Sequence, residues 1–389
     1  MRDKCNKITA IFVLLIIFGM SVFYLPQMLT PAKQCFIDLS DGASIGTVMS
    51  SFVSSYKKTL TSNRGWIDAY GLIQKSLGKQ EIKNFAIISD DYGCLYKQYE
   101  EPYTDETLGS IYGDIQRIYN TTVEFGGEFL YVQTPYKYIS NVELLDGYKM
   151  DFGNQNSDKL GKLICSAQIP YMDLRDEKSD WEYYNTDHHW TLESSFDAVG
   201  IIVDELNYLY DYNLDSSYFY RDIDNYSKVT YEDSLLGSAG IQVGEYYSGM
   251  DDLSILVPNF ETELQFEHYV DGELQLVKNG DFWNAFINED ILNDEDYYNK
   301  YNAFSNGAHC ETVVKNKKAI NDKKVLLITH SYGRPMVQYL SLYFEETRYL
   351  DPQEGRYNDN YLEYIEEYKP DVVIVMYNGR INTGEINAP

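Results

Sequence analysis

Four continuous apolar runs of strand length constrain this chain most: Glu128–Thr134 (EFLYVQT), Gln168–Leu174 (QIPYMDL), Lys324–Thr329 (KVLLIT) and Asp371–Tyr377 (DVVIVMY). A strand that is apolar on successive residues has to be covered on both faces. Between these runs stand segments with helical character: Asp105–Asn120, Ser157–Ser166, the stretch marked by Phe196, Val199, Val203 and Leu206, Pro335–Phe344 and Asp359–Tyr368. This alternation, with a short strand at Thr347–Asp351, predicts an α/β fold with a parallel sheet between helical layers. Helical spacing also marks Ile45–Tyr56 and Trp66–Leu77, and a hairpin is expected at Asn84–Ser89 and Cys94–Tyr96. A Tyr/Asp-rich insertion runs from about 210 to 320, with a hairpin expected near Ile255–His268 and Glu273–Lys278.

In such sheets the chemistry lies beyond the carboxyl ends of the strands. TDHHWT, Thr186–Thr191, precedes the Phe196 helix, which Thr191 is placed to cap. Asp187 and His189 are two residues apart, so in an extended turn both side chains project to one side. An aspartate there holds a histidine in the tautomer that accepts a proton from a nucleophile. Taken alone, a D-x-H also suits a structural histidine pair or a weak metal site. Ser331, in Thr329-His330-Ser331-Tyr332-Gly333, falls on a strand-to-helix turn, where helix amides favour an oxyanion. An isolated serine there is more often a plain cap. Asn378, after DVVIVMY, is placed to donate to an oxyanion, although Asn378-Gly379 also suits an ordinary turn. Gly355 and Arg356 follow the Thr347–Asp351 strand and could add a backbone donor and a charge. Together these supply a nucleophile, a base, its orienting group and oxyanion donors on one side of the sheet.

The rest of the sequence narrows the setting. A formal net charge of -28 with no offsetting basic patch makes nucleic acid a poor partner. Tyrosine is abundant, 38 residues, and suits a glycan surface even if most of these rings fill half-buried positions. Arg2, Lys4 and Lys7 precede an apolar run from Ile8 to Leu25, and a helix over residues 8–29 at about 1.5 Å per residue crosses a core of about 30 Å. The charges favour a cytoplasmic N-terminus, so residues 1–34 are expected to be a cytoplasmic stub and uncleaved signal anchor. Residues 35–389 are then expected outside the membrane, where Cys35, Cys94, Cys165 and Cys310 could form disulfides in any of three pairings. No cysteine or histidine spacing suggests zinc, and no metal or cofactor is expected.

The block YYNTDHHWTLESSFDAVGIIVDEL resembles the signature of the DHHW family. NFAIISDDYGCLY, FLYVQTPYKY, IPYMDLR, SLLGSAG, KKVLLITHSYGRPMVQYLSLYFEETRYLD and DVVIVMYN match in order, covering most of the chain from about Ile45 to Arg380. The family is similar to the AlgX/AlgJ-type alginate O-acetyltransferases, so the resemblance implies a permuted SGNH-hydrolase-like fold in which the Asp-His element precedes the serine. Carried over by motif, Asp187 and His189 take the D-x-H roles, with His188 at the variable position. Ser331 becomes the nucleophile, Gly355-Arg356-Tyr357 the block after the second strand, and Asn378 the asparagine, these last two as looser matches. Tyr332 and His330 flank the nucleophile as further substrate or oxyanion candidates. The family usually has Asp where this chain has His330, which puts the turn geometry in question and offers a competing base.

These readings predict a membrane-anchored extracytoplasmic O-acyltransferase, O-acetyl by resemblance, that acts on a cell-surface glycan through a Ser331–His189–Asp187 acyl-enzyme. The resemblance implies an acyl donor supplied by a membrane acyltransferase partner. The chain ends at Pro389, so the glycan groove is expected on this same domain. An esterase with the same machinery, or a glycan-binding protein that has lost the chemistry, are the other readings.

Overall fold

The computed structural model describes residues 32–35, 37–40, 44, 46, 48–51, 64–97, 101–138, 150–354 and 361–381. The expected membrane helix at 8–29 lies outside them, and among the described residues no helix is long and apolar enough to cross a membrane. The chain divides into two compact units, residues 1–70 and 71–389. Described residues of the first are almost all helical, and its last helix, α1 (Arg64–Ser76), runs on into the second.

The second unit begins with a small antiparallel sheet of β1 (Glu81–Ile82), β2 (Ile87–Ser89) and β3 (Leu95–Lys97). Asp90 closes its expected turn by accepting the Tyr92 and Cys94 amides, each at 2.9 Å. Next come α2 (Asp105–Glu124), β4 (Glu128–Gln133), α3 (Gly153–Ser166), β5 (Tyr171–Asp173) and α4 (Leu192–Tyr210). Thr191 caps α4 as expected, accepting the Ser194 amide. The region from 210 to 320 then holds β6 (Tyr226–Leu235), β7 (Asp251–Pro258), β8 (Leu264–Val270), β9 (Glu273–Gly280) and β10 (Glu311–Asn316). Last come β11 (Lys324–Thr329), α5 (Arg334–Leu340), β12 (Glu346–Leu350), α6 (Tyr361–Tyr368) and β13 (Val372–Tyr377).

Among the described residues the main sheet has eight strands in the order β5-β4-β13-β11-β12-β10-β8-β9. The five from β5 to β12 run parallel, as the apolar runs predict. The wholly parallel sheet is corrected: β10, β8 and β9 extend it in antiparallel fashion. Asp271 and Gly272, with φ of 48° and 78°, make the tight β8–β9 turn that such a hairpin needs. The expected hairpin of Ile255–His268 with Glu273–Lys278 forms as β8 and β9, with His268 opposite Leu276, but its first strand begins only at Leu264, because Ile255 pairs with Val229 of β6 in a separate two-stranded ribbon.

Alternation within the central strands sends side chains to two cores. Leu327, Ile374 and Met376 point to the side covered by α4 and α5, where they meet Phe196, Val199, Val203 and Val337. Leu326, Ile328, Val373 and Val375 point to the opposite side, against Ile111 and Ile115 of α2, Leu160 of α3 and Ile365 of α6. Both faces are therefore sealed, and the strands' carboxyl ends remain as the place for polar groups. Replacing the fully buried Ile374 by alanine is expected to destabilise the second unit by about 2–5 kcal/mol, since the rigid sheet cannot collapse onto the cavity. Denaturant unfolding checks this, and a loss below about 1 kcal/mol contradicts the packing described.

Candidate active site

The TDHHW segment forms a loop tied off at its base. A single antiparallel bridge joins Tyr183 to Trp190, and the Thr191 amide donates to the Glu182 carbonyl at 2.9 Å. Inside the loop, Asp187 accepts the His189 amide at 3.0 Å and His189 Nδ1 at 2.6 Å. The other nitrogen, His189 Nε2, lies 2.7 Å from Ser331 Oγ. The loop before α4 and the turn after β11 thus meet in one hydrogen-bonded chain, Asp187–His189–Ser331. With Nδ1–H held by the carboxylate, the tautomer that leaves Nε2 as an acceptor faces the serine.

Several neighbours hold this chain. The Ser238 amide donates to the second oxygen of Asp187. Gly237 lets that segment approach, because a Cβ there would sit 2.3 Å from the Asp187 Cβ. Tyr301 stacks on the His189 ring with centroids 4.2 Å apart, and its hydroxyl donates to the Ser331 carbonyl at 3.2 Å. Trp190 Nε1 donates to the Tyr332 carbonyl at 3.2 Å, and the Tyr332 hydroxyl returns a bond of 2.6 Å to the His188 carbonyl. These last two bonds lock the loop to the turn.

Burial opposes ionisation of Asp187, but His189, His188 and their hydrogen bonds overcome it and hold the carboxyl well below its usual range. For His189 burial acts most strongly and His188 adds to it, so the ring is held below the ordinary imidazole range although Asp187 pulls the other way. Both directions leave an ionised Asp187 and a neutral His189, the states a proton acceptor requires.

His188 lies alongside His189, ring centroids 3.9 Å apart, with its Nδ1 3.0 Å from Ser238 Oγ and 3.1 Å from Asp187 Oδ1. Asp187, His188 and His189 are the one group among the described residues whose ligand atoms converge, within 4.8 Å, but the same atoms carry the hydrogen bonds just given. His330 resolves the question raised by the missing aspartate. Its Nδ1 accepts the Tyr332 amide at 3.3 Å, the bond a capping aspartate makes at such a turn. The expectation of His330 as a competing base is corrected, since it is His189 that bonds Ser331. Burial lowers the His330 pKa to about 3, so this ring is neutral as well.

Asn378 lies just past β13, whose register with β11 (Thr329 opposite Met376) brings it level with Ser331. It is buried, its Oδ1 accepts the Arg380 amide at 3.0 Å, and its side chain lies beside His330. Gly355 and Arg356 fall outside the described residues. The sequence reading missed Tyr301, Lys137 and Asp251. Gly237 and Ser238 were signalled only as part of SLLGSAG. Lys137 was signalled only as part of FLYVQTPYKY, just beyond a strand end, and nothing local marks Tyr301 or Asp251.

No family model and no curated protein matches the sequence. Among solved structures, Bacillus cereus PatB1 with a sulfonyl adduct is 17% identical over 77% of this chain and 96% of its own, with a TM-score of 0.60. A DHHW family protein from Eubacterium siraeum is 15% identical over 75% of this chain and 89% of its own, with a TM-score of 0.54. The O-acetyltransferase domain of Pseudomonas putida AlgJ also matches, but a TM-score of 0.45 adds nothing to the fold assignment. The mixed α/β fold of this chain is therefore that of PatB1 and of a DHHW family protein, in line with the resemblance read from the sequence.

Proposed function

We propose that this chain is an extracytoplasmic O-acyltransferase that moves an acyl group, acetyl in the first instance, onto a hydroxyl of a surface glycan. The observation that carries this reading is the hydrogen-bonded chain from Asp187 through His189 to Ser331. Ser331 Oγ attacks the acyl carbonyl of an ester donor while its proton passes to His189 Nε2. The tetrahedral oxyanion rests on the Ser331 amide and the Asn378 side chain. The oxyanion then collapses, the donor's alkoxide leaves with the proton from His189, and Ser331 holds the acyl group as an ester. A sugar hydroxyl repeats the sequence in reverse, giving its proton to His189 and taking the acyl group.

An acceptor site lies next to this chain. A cleft of about 780 Å³ opens beyond the ends of β4 and β5, lined by Tyr136, Tyr138, Trp181 and Tyr183 together with Asp158 and Arg175. Aromatic faces with polar neighbours are what sugar rings stack on and bond to. Lys137 lines the same cleft and bonds the Asp187 carbonyl at 2.9 Å, so a bound chain lies against the base of the TDHHW loop. Anchorage through residues 8–29 and an acyl-supplying membrane partner belong to this proposal.

Two outcomes are expected. Ser331→Ala lowers transfer from an activated acetyl ester to an oligosaccharide by about 10⁴-fold or more; wild-type turnover in this variant removes Ser331 from the mechanism. A sulfonyl fluoride, prompted by the adduct on PatB1, forms a Ser331 sulfonyl ester detectable by mass spectrometry, and an inert serine points to a glycan binder instead. Release of acetate at a rate indifferent to oligosaccharide identifies an esterase.

The acid limb of kcat/KM is expected below the ordinary imidazole pKa of about 6.5, because burial and His188 both depress His189. In His188→Ala both influences weaken, the His189 pKa rises, and the neutral base is lost at a higher pH. The limb then moves upward, and an unmoved or downward-shifted limb contradicts the electrostatics described. Trp181→Ala is expected to raise the KM for the oligosaccharide about 10-fold while leaving Ser331 sulfonylation unchanged, a split read by comparing the two assays.

A further inference from the structure

Residues 184–187, which set the position of Asp187 and through it His189, are gripped from two sides by opposite charges. On one side the Lys137 ammonium, from the segment after β4, donates to the carbonyls of Tyr184, Asn185 and Asp187 at 2.6, 2.9 and 2.9 Å. All three of its donors are spent on one four-residue stretch. On the other side the Asp251 carboxylate, at the start of β7, accepts the Asn185 amide at 2.8 Å, the Thr186 amide at 2.7 Å and the Thr186 hydroxyl at 2.6 Å. Lys137 is 6% exposed and so is Asp251. Two buried charges are a costly way to hold a loop, and apolar packing commonly does as well for stability. Packing does not, however, fix the direction of a backbone as six charge-assisted hydrogen bonds do.

We propose that Lys137 and Asp251 are positioning residues for the transfer reaction, a charge clamp that sets the TDHHW loop at the height where His189 reaches Ser331. This rests on the acyl-transfer reading above. The clamp works on distance: a base displaced by about 1 Å from a reacting hydroxyl costs on the order of 10²-fold in rate. It also makes the site sensitive to the protonation of one lysine. An uncharged amine has two hydrogens for three carbonyls, so deprotonation releases at least one of them. Burial lowers the Lys137 pKa, while the Cys94 thiol beyond β2, Asp251 of β7 and Asp187 of the loop raise it. The Tyr96 ring of β3, 5.3 Å from the ammonium, completes its surroundings.

The test is the rate of Ser331 sulfonylation by phenylmethanesulfonyl fluoride against pH, with thermal unfolding followed in parallel. Wild type is expected to label with an alkaline decline. Lys137→Met labels at least about 10-fold more slowly at neutral pH. Lys137→Arg, whose charge persists at all accessible pH, recovers part of the rate and loses the alkaline decline. Asp251→Asn also slows labelling, and the double variant Lys137→Met/Asp251→Asn is less impaired than the product of the single effects, since both act on one loop. A purely structural role moves the melting temperature but leaves the alkaline limb of the Arg variant as in wild type; that result overturns the clamp. Labelling of Lys137→Met within about 3-fold of wild type overturns it too, and if that variant does not fold, the Arg and Asn variants decide. Failure of the folded wild-type protein to label at any pH removes the acyl-transfer reading and the clamp with it.

Discussion

The 2.7 Å bond between His189 Nε2 and Ser331 Oγ spans 142 residues of sequence, and the site exists only where the fold closes that gap. Neither partner sits on a rigid element. His189 is in a loop before α4, and Ser331 is in a single turn between β11 and α5. What keeps them together is reciprocal bonding between loop and turn: Trp190 to the Tyr332 carbonyl, Tyr332 to the His188 carbonyl, and Tyr301 stacked on one partner and bonded to the other. Each of these aromatic groups is large and buried, with one polar atom that has a single sensible partner, so each fixes an orientation as well as filling space.

Burial around the site does two kinds of work. It strengthens every polar contact inside by lowering the local dielectric. It also keeps His189 and His330 uncharged, since a buried imidazolium without full compensation is costly. Asp187 escapes the same penalty because its oxygens receive the His189 amide, the His189 ring and the Ser238 amide. The arrangement separates two titratable neighbours into one permanent anion and one neutral acceptor. His188 belongs to this balance, and its place between Asp187 and Ser238 ties the variable position of the D-x-H pattern to the electrostatics of its neighbours.

How much of this was legible in the sequence follows from where each signal resides. The parallel half of the sheet was legible because a strand buried on both faces writes itself as a continuous apolar run. The D-x-H pair and its helix cap were legible because their geometry is local, set within a few residues of Thr191. The antiparallel part was legible only at the β8–β9 hairpin, whose second strand was read at Glu273–Lys278; β10 is placed by pairing with β8 and β12 and carries no run that announces it. The reach of Lys137 and Asp251 to the loop was equally hidden, since it depends on chain segments about 50 and 65 residues away. His330 was misread for a different reason. Sequence comparison sees a carboxylate replaced by an imidazole, whereas the turn needs only an acceptor at the right distance, which a neutral ring nitrogen provides.

That substitution bears on what the turn can tolerate. An aspartate before the nucleophile would place a second negative charge beside the developing oxyanion, whereas a neutral imidazole caps the turn without one. The Tyr349 hydroxyl lies 3.2 Å from the His330 carbonyl and 2.9 Å from the Asp351 carboxylate, which links this turn to Asp351, one strand over. Burial raises the Asp351 pKa to about 6 against the pull of Tyr349, Arg334 and the Gln353 amide. The ionised Asp187 is kept on the far side of His189 from the serine. The separation places the anion where it stabilises a protonated histidine and away from where it would oppose the charge forming on the acyl oxygen.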